Sequence, residues 1–529
     1  MTVLDEAHMG DIRGAFGTIA QDDVAPRPNW WARLRTLLAI LGPGLIVMVG
    51  DNDAGGFGTY TQAGQEYGTS LLWTLLLLIP VLYVNQEMVL RLGAVTGVGH
   101  ARLIFERFGR FWGAFSVIDL FLLNALTIVT EFIGISLALD YLGLPREYGV
   151  IAGAVVIIGA AGTGDFRRFE RFAMLLVLGS LLLLPVLWWA HPPLGQIAHD
   201  FAVPQLPKTG KLSDIMLLII AIVGTTVAPW QLFFQQSYVI DKRITPRFMR
   251  YERADLWIGI VLVVLGAAAM MAFTAAAFAG RPEFGDFQDA GAVAAGLGKY
   301  VGRAAGSFFA VALIDASIIG AMAVSLSTAY AIGDVLSLKH SLHRKPTEAK
   351  GFYAVYGALV ALAAALVLTP GTPLGLLTNA VQTLAGVLLP SATVFLLLLC
   401  NDRQVLGPWA NGRWLNLFTG AVIAALVLLS IVLTAAVLYP GIGERTILAI
   451  LGGGTALAVV TAAIFLLSSH APAEVDRAGR MGWRMPPLDR LTPMRMTAPT
   501  RLWMVVLRLY LLVAGGLVLA RVIQLAATA

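Results

Sequence analysis

Residues 50–60 read GDNDAGGFGTY and sit inside an apolar run that begins near Leu37. Two aspartates, Asp51 and Asp53, and four glycines break what would otherwise be an ordinary hydrophobic helix. A charge at the middle of a membrane helix costs about 3 kcal/mol even on lenient insertion scales, so it is paired, hydrated or ligating something. The apolar stretch AILGPGLIVMVG before the pair, and the helical pattern after it, place both carboxylates within one span rather than at an interface. Unwound backbone at that depth is tolerated only where it is buried in protein or lines a water-filled cavity. Carboxylates beside freed carbonyls make an oxygen-rich site, which suits hard cations.

The surrounding chain has the composition of a polytopic membrane protein. Of its 529 residues 58% are hydrophobic and 13% charged, with a mean hydropathy of +0.77; a soluble domain is about one-quarter charged. The net charge of +5 does not indicate nucleic acid, because the Lys and Arg residues fall in short breaks between apolar segments. A single cysteine, Cys400, excludes an intramolecular disulfide. No basic-then-apolar start marks a cleaved signal peptide.

A spanning helix needs roughly 20 apolar residues. That rule places spans near 37–65, 70–93, 112–141, 148–165, 171–190, 213–240, 254–280, 304–336, 352–370, 374–400, 413–438, 446–468 and 502–525. With the N-terminus in the cytoplasm, loops such as GDFRRFERF, DKRITPRFMRYER and KHSLHRKPTEAKG lie inside, and the outside loops are poorer in Lys and Arg. This alternation is the positive-inside pattern, and it predicts a multi-pass protein of the inner (plasma) membrane. Residues 1–36 are expected to form a disordered cytoplasmic tail and 37–400 a ten-span core in two halves, 37–190 and 213–400. Two further spans fill 413–468; a basic linker, 469–501, leads to the final span, 502–525, which carries Arg508 and Arg521. The sequence sets no oligomeric state.

The sixth span repeats the oddity of the first. It contains GTTVAPWQ, a polar patch interrupted by Pro229. Paired broken helices in matching positions of two halves are the best sequence pointer to a transporter with inverted repeats. GPGLIVMVGDNDAGGFGTYTQAGQEYGTSLLW resembles the first-helix signature of the Nramp divalent-metal transporters, whose pattern is Gly-Pro, a hydrophobic run, Asp-Pro-Gly-Asn, then Gln-Ala-Gly and Leu-Leu-Trp. LGAVTG, GDFRRFE, TTVAPWQLFFQQS and LLPSATVFLLLLCNDRQVLG follow in the same order, so the resemblance covers roughly residues 37–440. It implies an all-α fold of LeuT/APC type, with inverted five-helix repeats, helices 1 and 6 broken at mid-membrane, and alternating access. It also implies that Asp53 binds the metal, with the carbonyls of Gly50 and Thr225 facing the ion and Gln382 closing the site in some states.

The departures from that pattern are informative. Gly56 replaces the ligating Asn, and Ala228 replaces the ligating Met. A thioether favours transition metals, whereas Mg²⁺ and Ca²⁺ prefer carboxylate, carbonyl and water. Mg²⁺ also keeps several waters, which suits a roomier site, and Asp51, acidic where the family usually is not, is placed to hold one of them. These changes are similar to those of the Nramp-related magnesium transporters. The family's proton handlers are an Asp and a Glu on the third span and two histidines on the sixth. Here Glu131 matches the Glu, but Ile128, Trp230 and Gln235 occupy the other three positions. None of these three relays protons, whereas histidine titrates near neutral pH. The expectation is therefore uptake of Mg²⁺, with Mn²⁺ as a second cargo, without proton coupling. The alternative is a proton-coupled Mn²⁺/Fe²⁺ importer of ordinary type.

Other polar residues at depth carry plainer readings. Gln86, Glu87, Asp119, Asp255 and Asp315 are expected to form buried pairs or helix caps, with a vestibule role open for Asp315. Glycines 452–454 are read as a close helix contact. No nucleophile–base set, zinc-binding helix or phosphate loop appears, so neither an enzyme nor a resident cofactor is expected. An amino-acid transporter of the same broad fold is disfavoured, because Asp51 and Asp53 would repel the substrate's carboxylate.

Overall fold

A computed structural model describes residues 6–370, 374–439, 441–468, 479–494 and scattered positions between 501 and 520. Several side chains after Leu374, Gln382 among them, lie outside that description, as does most of the expected span 502–525. The chain opens with a hairpin of β1 (Ile12–Gly14) and β2 (Gly17–Ile19), then runs almost entirely as helix. In order these are α1 (Trp30–Ile40), α2 (Pro43–Val49), α3 (Ala54–Tyr67), α4 (Trp73–Thr96), α5 (His100–Phe108), α6 (Arg110–Leu142) and α7 (Arg146–Gly162). The next are α8 (Phe166–Gly179), α9 (Leu183–Ala190), α10 (Leu194–Ala202), α11 (Leu212–Thr226), α12 (Pro229–Asp241), α13 (Met249–Phe278) and α14 (Ala290–Tyr300). The last are α15 (Arg303–Leu336), α16 (Lys350–Leu368), α17 (Leu374–Asn401), α18 (Arg403–Leu406), α19 (Arg413–Leu438) and α20 (Glu444–Ser468). Among the described residues nine helices are long and apolar enough to cross a membrane, or ten if the bent pair α1–α2 is one span.

Both expected breaks are present. The first span stops at Val49 and resumes at Ala54; the sixth stops at Thr226 and resumes at Pro229. Pro229 opens α12 at a position where its missing N–H would have had no intrahelical partner anyway. The chain also bends by 55° between α1 and α2. The hinge is Gly42, at φ 155, where any side chain would collide with the Glu170 carboxylate. The first span is therefore α2 plus α3, and α1 stands apart from it, beginning at Trp30 rather than Leu37.

The start of α2 is held by another span. Asp255, on α13, accepts the Gly42 N–H at 3.1 Å and the Gly44 N–H at 2.7 Å. Two of the helix's free N–H groups are thus satisfied by a carboxylate, which also complements the positive helix end. Asp255 is a cap, and Glu87 pairs with Arg91 and Arg253 at 3.3 and 2.6 Å, as read from the sequence. Asp315 instead packs against Gly179 on α8, within 2.4 Å of where a Cβ would sit there.

Two expectations need correction. The tail expected to be disordered is folded from residue 6 to α1, with Ile12, Ala15 and Ile19 buried. Its carbonyls are taken up by distant arginines: Arg167 reaches Gly14 and Gly17, Arg171 reaches Ala15, and Arg243 reaches Ala7 and Asp11. The Ala15 N–H donates to Glu170 at 2.6 Å. Glu170 in turn pairs at 2.7 Å with Lys242, which donates to the Leu41 carbonyl at 2.8 Å. A polar tail with too few apolar residues to fold alone is thus ordered by partners on α8 and beyond α12. The glycines at 452–454 do not form a shared packing face either. Among the described residues a Cβ would meet nothing within 4 Å at Gly452 or Gly453, and of the three only Gly454 lies against a neighbour, Leu428.

The Glu170–Lys242 pair is fully buried, and removing one partner strands the other charge. Lys242→Met is expected to cost about 3 kcal/mol, read as a lower melting temperature of the purified protein in detergent. The double variant Glu170→Gln, Lys242→Met should recover most of that loss.

Candidate metal-transport site

The break in the first span is closed by carboxylates. Asp53 is the N-cap of α3, and its Oδ1 accepts the Gly56 N–H at 2.9 Å. Glu131, on α6, accepts the Ala54 N–H through Oε2 at 3.1 Å. Both are buried, Asp53 at 7% exposure and Glu131 at 0%. They share a wall: a Cβ added to Gly320 on α15 would lie 2.9 Å from the Asp53 Cβ and 3.0 Å from the Glu131 carboxyl carbon. Nearby, Gly134 lets α6 approach Ala54 and Ser317, each 2.6 Å from its would-be Cβ.

Asp51 lies two residues past the end of α2, directly after the capping Gly50, and is 1% exposed. Its Oδ1 accepts from the side-chain amide of Gln231, on the first turn of α12, so the two broken helices are joined directly. Gln231 Oε1 accepts from Gln86 of α4 at 2.9 Å. A second link runs between Tyr60 of α3 and Thr226 of α11, whose hydroxyls lie 2.7 Å apart. Several polar atoms here have no hydrogen-bond partner among the described residues: Asp51 Oδ2, Glu131 Oε1, Ser317 Oγ and both amide atoms of Gln235. Buried polar atoms are normally satisfied, so orphan carboxylate oxygens suit a cation.

Each position named from the sequence has a place. Gly50 ends α2, Thr225 lies in the last turn of α11, and Ala228 is the residue before α12; all are buried. A Cβ on Gly56 would sit 3.7 Å from Asp53 Oδ1 and 3.0 Å from the Asp51 carbonyl, so a longer side chain there would face the carboxylate. Trp230 is buried, and its ring lies 3.7 Å from the would-be Cβ of Gly50, which sets an indole beside the break. Ile128 is buried on α6, and Gln382 lies on α17 with its side chain outside the described residues. The sequence reading missed Gln231 and Ser317, and treated Gln86 as structural. The only signal for Gln231 was its place directly after Ala228-Pro229-Trp230. Among the described residues no three His, Cys, Asp or Glu side chains gather as a metal-binding cluster, so an ion here would draw on backbone, hydroxyl or water oxygens as well.

Two interrupted spans meeting at buried carboxylates define a broken-helix membrane transporter. Solved structures carry the same fold: that of the Eremococcus coleocola manganese transporter matches with a TM-score of 0.65, covering 88% of this chain and 98% of that one at 20% identity. A family profile described as natural resistance-associated macrophage protein-like, Nramp, matches residues 44–436, and the chain belongs to that family. The divalent metal cation transporter MntH of Xylella fastidiosa is 28% identical over 81% of this chain and 90% of its own length. MntH of Burkholderia ambifaria is 32% identical over 55% and 68% respectively. Nramp proteins are transporters rather than enzymes and carry no cofactor; the magnesium branch is not distinguished by these matches.

Gly320→Ala is expected to cut metal uptake into proteoliposomes at least tenfold, because the new methyl displaces Asp53 or Glu131. Gly357→Ala, where a Cβ would meet nothing within 4 Å, should leave uptake unchanged.

Proposed function

We propose that the protein carries divalent metal cations across the membrane by alternating access, binding them where the first and sixth spans are interrupted. The observation that carries this is the placing of buried Asp53, Glu131 and Asp51 at the first break, with two of their oxygens unpartnered among the described residues. The named relatives transport manganese or divalent metals, which supports the Mn²⁺ importer set out above as the alternative better than a magnesium-first reading. Mn²⁺ is therefore the first cargo.

A second reading is favoured by this chain's own residues. With Ala228 and Gly56 at positions held by Met and Asn in ordinary members, and Asp51 added, the site offers oxygen donors and no sulfur. Hard ions prefer such donors, so Mg²⁺ is proposed as a further cargo, bound with part of its water shell. Ile128, Trp230 and Gln235 cannot relay protons, and uncoupled movement down the electrochemical gradient is proposed. An inside-negative potential supplies about 2.3 kcal/mol per charge per 100 mV, enough to drive a divalent ion inward.

The test is uptake into proteoliposomes loaded with a pH dye, with Mn²⁺, Mg²⁺ and Ca²⁺ offered singly and in competition. Asp53→Ala is expected to abolish uptake of every ion. Ala228→Met should shift preference toward Mn²⁺ over Mg²⁺ about tenfold, by restoring a soft ligand. Acidification in step with metal entry would reject uncoupled transport. Failure of Mg²⁺ to compete would leave the manganese reading standing alone.

A further inference from the structure

The bond between Asp51 and Gln231 has a direction that the surroundings enforce. Gln231 is fully buried, and its Oε1 is occupied by the Gln86 Nε2 at 2.9 Å. Its Nε2 is then the end that faces Asp51, and it donates to Oδ1. The reversed amide would set its oxygen against a carboxylate oxygen, two acceptors with no proton between them, and would turn its nitrogen toward another donor. One oxygen of Asp51 is thereby pinned, while Oδ2 has no partner among the described residues. The carbonyl of Asp51 and Oδ1 of Asp53 both lie within 3.7 Å of a single point, the would-be Cβ of Gly56. The main chain of Asp51 and the carboxylate of Asp53 therefore border the same small space.

Resting on the cation-transport reading above, we propose that Gln231 is a positioning residue that sets ion preference, holding Asp51 so that its second oxygen serves the cation. A neutral amide is the right group for this. An arginine or lysine would orient the carboxylate equally well, but its charge would cancel that of Asp51 and repel the ion. Gln86, on α4, fixes the amide in turn, so an element outside both broken helices sets the aim of the added carboxylate. Asp51 then acts as a hard donor to the ion or to a water in its shell, which matters most for the ion that sheds water least readily, Mg²⁺.

The experiment is a double-variant cycle in proteoliposomes, with Mg²⁺ and Mn²⁺ uptake measured for wild type, Gln231→Met, Asp51→Asn and the pair together. Gln231→Met keeps the volume and removes the donor; Gln86→Met, which leaves the Asp51 contact in place, is the second variant should the first fold poorly. Gln231→Met is expected to raise the KM for Mg²⁺ about tenfold with little change in maximal rate, and to raise that for Mn²⁺ about threefold. Asp51→Asn should do the same, and the double variant should be no worse than Asp51→Asn alone, because Gln231 acts through Asp51. Gln86→Met should move KM in the same direction by a smaller factor. Effects that multiply in the double variant, or a Gln231→Met protein with wild-type KM for both ions, would overturn the proposal while leaving cation transport intact. A wild-type protein that moves neither ion would overturn the transport reading and this inference with it.

Discussion

A helix interrupted inside apolar protein leaves backbone N–H groups that must be bonded, and an unsatisfied buried donor costs about 1–3 kcal/mol. The first span starts at Pro43 and restarts at Ala54, and each of these helix starts is met by carboxylates. Asp255 accepts from Gly42 and Gly44, Asp53 from Gly56, and Glu131 from Ala54. Asp255 and Glu131 come from other spans, so the break is tied to α13 and α6 rather than left to its own flanks. The same choice of residue serves function. A helix N-terminus carries partial positive charge and on its own would discourage a cation, whereas a carboxylate there reverses the local sign.

The two breaks are not equivalent. That of the first span is acidic, while that of the sixth presents Ala228, Pro229 and Trp230, with the indole set beside Gly50. The sixth span contributes polarity one residue later, through Gln231, and contributes it to Asp51 rather than to open space. The halves are therefore complementary: one supplies charge, the other orients it. Tyr60 and Thr226 join the same two spans by a hydroxyl pair, so the broken segments are linked on both flanks of the break.

Much of this was legible in the sequence, for physical reasons. A bilayer imposes long apolar stretches and penalises interior charge, so span positions and both interruptions stand out from composition alone. Asp53 and the cap Asp255 stood out because carboxylates at such depth demand partners, and Glu131 through the family resemblance. What escaped were contacts between segments far apart in the chain. The hairpin at Ile12–Ile19 reads as a polar tail because its carbonyls are bonded by Arg167, Arg171 and Arg243, more than a hundred residues away. Gln231 and Gln86 are neutral, and nothing in a linear reading separates a bridging amide from a merely buried one. The run at 452–454 misled in the opposite sense. Small residues permit close approach, but only Gly454 has a neighbour close enough to need it.

The replacement of three of the four proton-handling residues, with Glu131 kept, acquires a meaning from charge balance. Burying an ion in a low-dielectric interior is tolerable only when opposite charge surrounds it. In the proposed complex a divalent cation faces Asp53 and Asp51, whose two negative charges match it when Glu131 beside them is neutral. A single acidic residue at the break would leave the balance to be made elsewhere. Here the added aspartate supplies it next to the ion. Ile128, Trp230 and Gln235 are uncharged and buried, and under the proposed function charge neutrality does not depend on those positions. Adding Asp51 and losing the titratable groups thus form one electrostatic change rather than two.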